Sequence, residues 1–186
     1  MSMRGAEAVL SRGSLIGRDV AIKERISKTY RVAELDARLR RERTRAEARL
    51  LHRAKVAGVD CPVVLEVTDF SITMDYLHGS HPEMKAAECL CAGQMLALLH
   101  CAGIIHGDFT PVNLMKSKGK LFVIDFGLGF FSNDVEDRAV DVYTMLKALD
   151  EKAGNAFLKG YKTRNPKHAA VLRRVEEVKK RVRYAQ

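Results

Sequence analysis

Two short runs of this chain could handle phosphate. Asp108 and Asn113 stand five residues apart, and Asp125 follows twelve residues after Asn113. Asp125 comes directly after the apolar run Leu121-Phe122-Val123-Ile124, which places it at the end of a buried strand, with Gly127 permitting a sharp turn behind it. A carboxylate so placed suits a hard, oxygen-preferring cation such as Mg2+. The Asn113 amide oxygen can reach the same ion, while Asp108 can face an acceptor hydroxyl as a base. Phosphoryl transfer asks little more of a protein than a cation on the phosphates, a metal held by side-chain oxygens and a carboxylate that orients the nucleophile.

The elements that must position these groups can be read from periodicity. Residues 6–25 read as strands, with apolar runs at 8–10, 14–16 and 19–23 separated by Gly13 and Gly17 as turn residues. Leu35, Leu39, Ala46, Leu50 and Ala54 recur on one face of a 3.6-residue period and predict a long helix, closed by Gly58 and followed by Pro62. Two strand-like runs follow at 63–67 and 70–75. The break at His78-Gly79-Ser80-His81-Pro82 divides the chain into 1–77 and 78–186. An apolar helix is predicted over 85–102, then a hairpin turning at Lys118-Gly119, then helices from Val135 onward, interrupted near Gly160 and at Asn165-Pro166.

Composition limits the classes. With 186 residues, 47% apolar and 30% charged, the chain can bury a core of ordinary size. Its net charge of +9 favours an anionic partner such as nucleic acid or nucleotide. Arg38, Arg40, Arg41, Arg43, Arg45, Arg49 and Arg53 crowd one helix, and Lys179-Lys180-Arg181-Val182-Arg183 adds a basic tail. No aromatic residues are interleaved with either cluster, so base stacking is not indicated. Residues 1–10 hold no apolar signal core, and the apolar stretch 86–105 carries Glu88, Gln94 and His100. Both features point to an intracellular protein with no membrane span. Cys61, Cys89, Cys91 and Cys101 are read as reduced thiols rather than a disulfide framework or a metal site.

Taken in order, Val20-Ala21-Ile22-Lys23, Met74-Asp75-Tyr76-Leu77, His106-Gly107-Asp108 with Asn113, and Asp125-Phe126-Gly127 resemble the protein-kinase superfamily. The resemblance implies an α+β fold of minimal bilobal form, with a small antiparallel-sheet N-lobe over 1–77 and a reduced helical C-lobe over 78–186. It implies ATP and Mg2+ as cofactors. Lys23 and Asp108 are the catalytic pair it implies, with Lys23 on the ATP phosphates, Glu47 as its helix partner, and Asn113 and Asp125 on the metal. Met74, Asp75 and Leu77 would form the adenine-facing hinge. Gly5-Ala6-Glu7-Ala8 stand in place of a glycine-rich loop.

Three departures narrow the resemblance. Gly107 replaces the usual arginine, Thr110 replaces the lysine common near the transferred phosphate, and no Ala-Pro-Glu element follows Gly127. Together with Arg43-Thr44…Glu47-Ala48-Arg49-Leu50-Leu51 and Glu136-Asp137-Arg138-Ala139-Val140-Asp141, they make the chain similar to the small atypical kinase of the KEOPS complex (the PRPK family). That similarity implies an ATP-hydrolysing, autophosphorylating serine/threonine kinase, cytoplasmic and also nuclear if eukaryotic. It would support threonylcarbamoyl modification of the adenosine next to the anticodon of tRNA. It also implies a transferase subunit on the C-lobe, a small subunit on the N-lobe, and tRNA near the basic surface and tail. The ending Tyr184-Ala185-Gln186 departs from the family's arginine-glycine-rich finish. Two other readings stay open: a kinase-fold scaffold with a structural nucleotide, and a small-molecule phosphotransferase.

Overall fold

A computed structural model describes the backbone of residues 2–4 and 8–184. The N-terminal part is a five-stranded sheet, antiparallel throughout. Its strands are β1 (Ser2–Arg4), β2 (Ala8–Leu15), β3 (Arg18–Arg25), β4 (Val64–Val67) and β5 (Ser71–Asp75), in the order β1-β2-β3-β5-β4. Helix α1 (Ala33–Val56) connects β3 to β4. The second part comprises β6 (Gly79–Ser80), α2 (Ala86–Cys101), β7 (Ile104–Ile105), a 3-10 turn (Pro111–Asn113), β8 (Leu114–Ser117), β9 (Lys120–Val123), β10 (Phe130–Phe131) and three helices. These are α3 (Val135–Lys147), α4 (Glu151–Arg164) and α5 (His168–Tyr184). The result is an α+β chain with a sheet-rich N-terminal part and a helical C-terminal part. No helix among the described residues is long and apolar enough to cross a membrane.

Several expected boundaries move. Gly13 is not a turn: β2 runs through it, and a Cβ there would sit 3.0 Å from the Ile22 side chain of the adjacent strand. The chain turns instead at Ile16-Gly17, where φ is 49° and 73°, the pair of positive values that a two-residue type I′ hairpin requires. Segment 78–82 is not wholly a break, because β6 pairs antiparallel with β8. Gly160 does not interrupt a helix either. It lies inside α4, where a Cβ would fall 1.9 Å from the Leu90 carbonyl oxygen of α2, while one on Gly93 of α2 would fall 2.0 Å from the Phe157 carbonyl oxygen of α4. The two glycines let the backbones of α2 and α4 meet. The interruption lies instead at 148–150, where the Asp150 side chain accepts the Ala153 N–H and starts α4.

The core runs from the C-terminal half of α1 through α2 to the last three helices, with Leu50, Leu51, Leu96, Leu99, Phe109, Phe126, Phe157 and Tyr161 buried in it. The N-terminal half of α1 departs from the apolar face expected of it. Leu35 is 42% exposed, while Asp36 and Thr44 are buried. That end is held by polar contacts rather than by leucines. Asp36 accepts the Lys28 N–H at 3.3 Å and the Arg40 Nε–H at 2.7 Å. Cys61 and Cys89 are buried as thiols, but Cys101 is exposed. Burial pushes the Cys61 thiol up to about 11, a poor nucleophile near neutral pH.

Candidate active site

β3 pairs with β5, Lys23 opposite Ile72, and strand alternation sets Lys23 on the same side as Ala21 and Arg25, where it meets Glu47 of α1. One turn before the apolar half of α1, Glu47 reaches back to it. Lys23 Nζ donates to Glu47 Oε1 at 2.6 Å and to Asp125 Oδ1 at 2.8 Å. Burial alone pushes the Lys23 ammonium down, but Glu47 and Asp125 outweigh it and hold it above the usual lysine range. Partial burial likewise pushes the Asp125 carboxyl up. Lys23 and the Gly127 N–H, which donates to Asp125 Oδ1 at 3.0 Å, more than reverse this and hold the group ionised.

Asp125 follows β9 with φ at 58°, a left-handed conformation uncommon outside glycine. Gly127 lies directly beneath the cluster, since a Cβ on it would come within 2.9 Å of Asp125 Oδ1 and 3.4 Å of Lys23 Nζ. The Asp125 side chain is 54% exposed, so it can change partners.

The loop after β7 supplies the other half. The Asn113 side-chain N–H donates to both the carbonyl and the Oδ2 of Asp108, each at 2.8 Å. The Ile124 N–H donates to the Asn113 carbonyl at 2.9 Å, which ties the asparagine to the residue preceding Asp125. Because its NH2 group is committed to Asp108, Asn113 has its amide oxygen left for a cation. Asn113 and Asp125 thus offer two hard oxygen donors, and no group of three His, Cys, Asp or Glu that could hold a metal occurs among the described residues. Two protein oxygens suit Mg2+, which keeps waters and takes substrate phosphate oxygens for its remaining positions. The residues present fit that ion.

The loop of His106 to Asn113 is held from below by groups that sequence reading left without a role. Asp141 of α3, 1% exposed, accepts the backbone N–H of His106 at 2.7 Å and of Gly107 at 2.8 Å. His100 Nε2 lies 3.3 Å from the same carboxylate, and its Nδ1 lies 2.8 Å from the Tyr161 hydroxyl, which also accepts the Asn165 side-chain N–H at 2.7 Å. An ionised carboxylate only accepts, so Nε2 carries the proton toward Asp141 and Tyr161 donates to Nδ1. Burial pushes the His100 and His106 imidazoles down, and both stay neutral. The departure at Gly107 has a steric cause. Its φ is 80° and a Cβ would lie 2.3 Å from the Leu128 carbonyl oxygen, so no arginine fits. The Thr110 hydroxyl, standing where a lysine is common, is buried without a hydrogen-bond partner.

The other predicted residues lie as follows. Gly5, Ala6 and Glu7 fall outside the described residues, and Ala8 opens β2 opposite Arg25. Met74 is buried in β5, and Asp75 ends that strand with its N–H donated to Val63. The Tyr76 N–H is donated to the Asp19 carbonyl, and Leu77 follows, half-buried. Sequence reading missed Arg25, Asp141, His100 and Tyr161. His100 did carry a signal, since it is a polar residue within an otherwise apolar helical face. Part of the arginine cluster on α1 is paired with carboxylates: Arg40 with Asp36, Arg38 with Glu42, and Arg41 and Arg45 together with the single Asp69. In the tail, Arg174 and Arg181 both pair with Glu136, and Lys179 pairs with Glu176.

Comparison with known proteins agrees with this geometry. The RIO domain family matches residues 18–130. A probable serine/threonine-protein kinase BUD32 homologue of Archaeoglobus fulgidus is 39% identical over 90% of both chains. A probable bifunctional tRNA threonylcarbamoyladenosine biosynthesis protein of Methanosarcina mazei is 41% identical over 97% of this chain, which spans only 35% of that relative's length. Among solved structures, the Rio2 kinase–ADP/Mg2+–phosphoaspartate complex from Chaetomium thermophilum superimposes with a TM-score of 0.61 at 16% identity, covering all of this chain and 71% of its own. By these matches the chain belongs to the RIO-domain family and, within it, to the BUD32 homologues.

Proposed function

We propose that this chain binds ATP with Mg2+ in a cleft between a lobe of residues 1–77 and a lobe of residues 78–186, and cleaves or transfers the terminal phosphate. It would do so as the kinase-like subunit of a KEOPS-type machinery for threonylcarbamoyl modification of tRNA. The observation that carries this reading is the Lys23 ammonium, bonded at once to Glu47 at 2.6 Å and to Asp125 at 2.8 Å. A cation aligned by a helix carboxylate beside a half-exposed, ionised aspartate is what polyphosphate binding with a divalent ion requires.

Bound Mg2+ would neutralise charge on the phosphate oxygens. Asn113 and Asp125 are the residues that would hold it, and Lys23 would orient the phosphates. Asp108, fixed by Asn113, would accept the proton of the attacking water or hydroxyl. Asp75 and Leu77 would meet the adenine through backbone groups, with Met74 behind them and the segment Gly5, Ala6, Glu7 and Ala8 above the phosphates. The machinery is inferred from the names and similarity of the relatives. Contact of a transferase subunit with the C-lobe, of a small subunit with the N-lobe, and of tRNA with the basic surface and tail are parts of the same proposal. Intracellular residence, cytoplasmic and also nuclear in a eukaryote, goes with it.

The test is ATP turnover by wild type and Asp125→Ala, alone and with the transferase subunit and tRNA. Loss of Mg2+-dependent turnover in the folded variant is expected; unchanged hydrolysis sinks the assignment. The scaffold reading has one observation in its favour, the uncharged Thr110 in the place of a phosphate-binding lysine. It predicts that folded variants without turnover still support tRNA modification in the reconstituted assembly.

A further inference from the structure

Pro166 ends α4 by holding Asn165 in extended backbone, with φ at −109° and ψ at 105°. The function proposed above makes no use of that junction. Yet the Asn165 side chain, in a residue only 2% exposed, begins a chain of hydrogen bonds that runs to the loop carrying Asp108. The direction of every bond in the chain is forced. The Lys167 backbone N–H can only donate, and it donates to Asn165 Oδ1 at 2.9 Å. That fixes the amide, so Nδ2 is the atom 2.7 Å from the Tyr161 hydroxyl, and it too can only donate. The hydroxyl therefore turns its own hydrogen to His100 Nδ1 at 2.8 Å. With Nδ1 accepting, the imidazole is neutral and its one N–H points from Nε2 to Asp141 Oδ2 at 3.3 Å.

Asp141 is where the chain meets the loop. Its Oδ2 also accepts the His106 N–H at 2.7 Å, and its Oδ1 accepts the Gly107 N–H at 2.8 Å. The long bond from a neutral His100 leaves Oδ2 chiefly to the His106 amide. An imidazolium in the same place would be a charged donor and would compete for that oxygen. While Asn165 donates to Tyr161, forming it is costly: the hydroxyl would have to accept from both neighbours and leave its own hydrogen buried without a partner. Burial and Arg138 of α3 also oppose a charge on His100, and Asp141 favours one. We infer that Asn165 is a positioning residue: through Tyr161 it fixes His100 as a one-way donor and so keeps the Asp141 carboxylate on the backbone of the loop that carries Asp108. Its bearing on turnover rests on the reading of Asp108 given above.

Asn165→Asp keeps the shape of the side chain and reverses the chain of bonds. The new carboxylate accepts both the Lys167 N–H and the Tyr161 hydroxyl hydrogen, the hydroxyl oxygen then accepts from Nδ1, and His100 takes up a proton. The test is nitrogen-15 NMR of the imidazoles across the neutral pH range, with amide exchange and Mg2+-ATP turnover, on wild type, Asn165→Asp and Asn165→Ala. Wild-type His100 should be neutral with its proton on Nε2. In Asn165→Asp it should be an imidazolium near pH 7. There the His106 amide should exchange faster and kcat should fall, each by roughly tenfold, the weight of one hydrogen bond to a charged acceptor, with KM for ATP unchanged. Asn165→Ala frees the hydroxyl to turn, so its His100 should protonate at a pH between those of the other two. A role confined to packing predicts the reverse order, with Asn165→Ala the more damaged and His100 neutral in Asn165→Asp. That neutral His100 would overturn the inference, as would an imidazolium or an Nδ1-protonated ring in the wild type near pH 7. If Asn165→Asp does not fold, Asn165→Ala decides: a His100 midpoint above that of wild type supports the inference and an unchanged one overturns it. No ATP turnover by the wild type would overturn the proposed function, and the NMR and exchange results would still decide this inference.

Discussion

The two sides of the site are each organised by a carboxylate, and the carboxylates are held in opposite ways. On the sheet side, Asp125 is half exposed and bonded to a lysine, one member of a cluster of two cations and two carboxylates. On the helical side, Asp141 is buried and receives backbone N–H groups and a neutral imidazole. A charge pair open to solvent can exchange partners at small cost, because its net strength is small and screened. A buried carboxylate whose partners are backbone amides has nowhere else to go. The site therefore joins an adjustable half to a fixed half, and the exchangeable carboxylate is the one proposed above to hold the metal.

The largest effect should come from the fixed half. Asp141→Ala leaves the His106 and Gly107 N–H groups buried without an acceptor, and His100 loses its partner. Such losses cost about 3–5 kcal/mol, a substantial part of the stability of a domain this size. Denaturant melts should show that drop, and turnover should vanish with the ordered loop. Asp141→Asn, which keeps one acceptor oxygen, should lose less; equal stability for wild type and Asp141→Ala would refute the comparison. Gly107→Ala should cost about 1–3 kcal/mol, since the new methyl meets the Leu128 carbonyl, and the same melts would reveal it.

Acid should act on the fixed half as well. His100 and His106 are buried, and their folded pKa values lie below the unfolded value of about 6.5. The unfolded chain therefore binds more protons below that pH, and stability must fall as pH drops through 6.5. The fall approaches about 1.4 kcal/mol per pH unit for each imidazole. Equilibrium melts between pH 7.5 and 5 would measure the slope, and substituting His100 with glutamine should reduce it by one proton's worth. A flat profile over that window would mean that the imidazoles are not held neutral.

The adjustable half was the more legible of the two in the sequence. Asp125 stands out by its place after an apolar run, and Lys23 through the resemblance of its strand to a kinase motif. The α+β arrangement was implied by the same resemblance. In the fixed half only Asp108 and Asn113 were equally legible. What escaped was whatever depended on distant packing. The α2–α4 contact through Gly93 and Gly160 gives no local sign, so a glycine inside a helix was taken for its end. Leu35 matched an apolar period, but no core lies beneath that end of α1. Arg25 was legible in principle from the two-residue strand period beside Lys23, yet its partner lies 22 residues away on a helix. Asp141 was quoted in a motif without its function, because only the fold brings it under the His106–Gly107 backbone.

The smallest stability effect should separate the two halves most clearly. Asp125→Asn removes a charge whose side chain is 54% exposed and whose partner Lys23 keeps Glu47. Discounted for solvent screening, the pair contributes less than about 1 kcal/mol. The amide oxygen can still accept the Gly127 N–H that Asp125 Oδ1 accepts in the wild type. The folded protein should therefore melt within that margin of wild type while losing Mg2+-dependent turnover. Asp141→Ala should lose both together. A large stability loss in Asp125→Asn would place that carboxylate in the fixed half and remove the reason for calling the other adjustable.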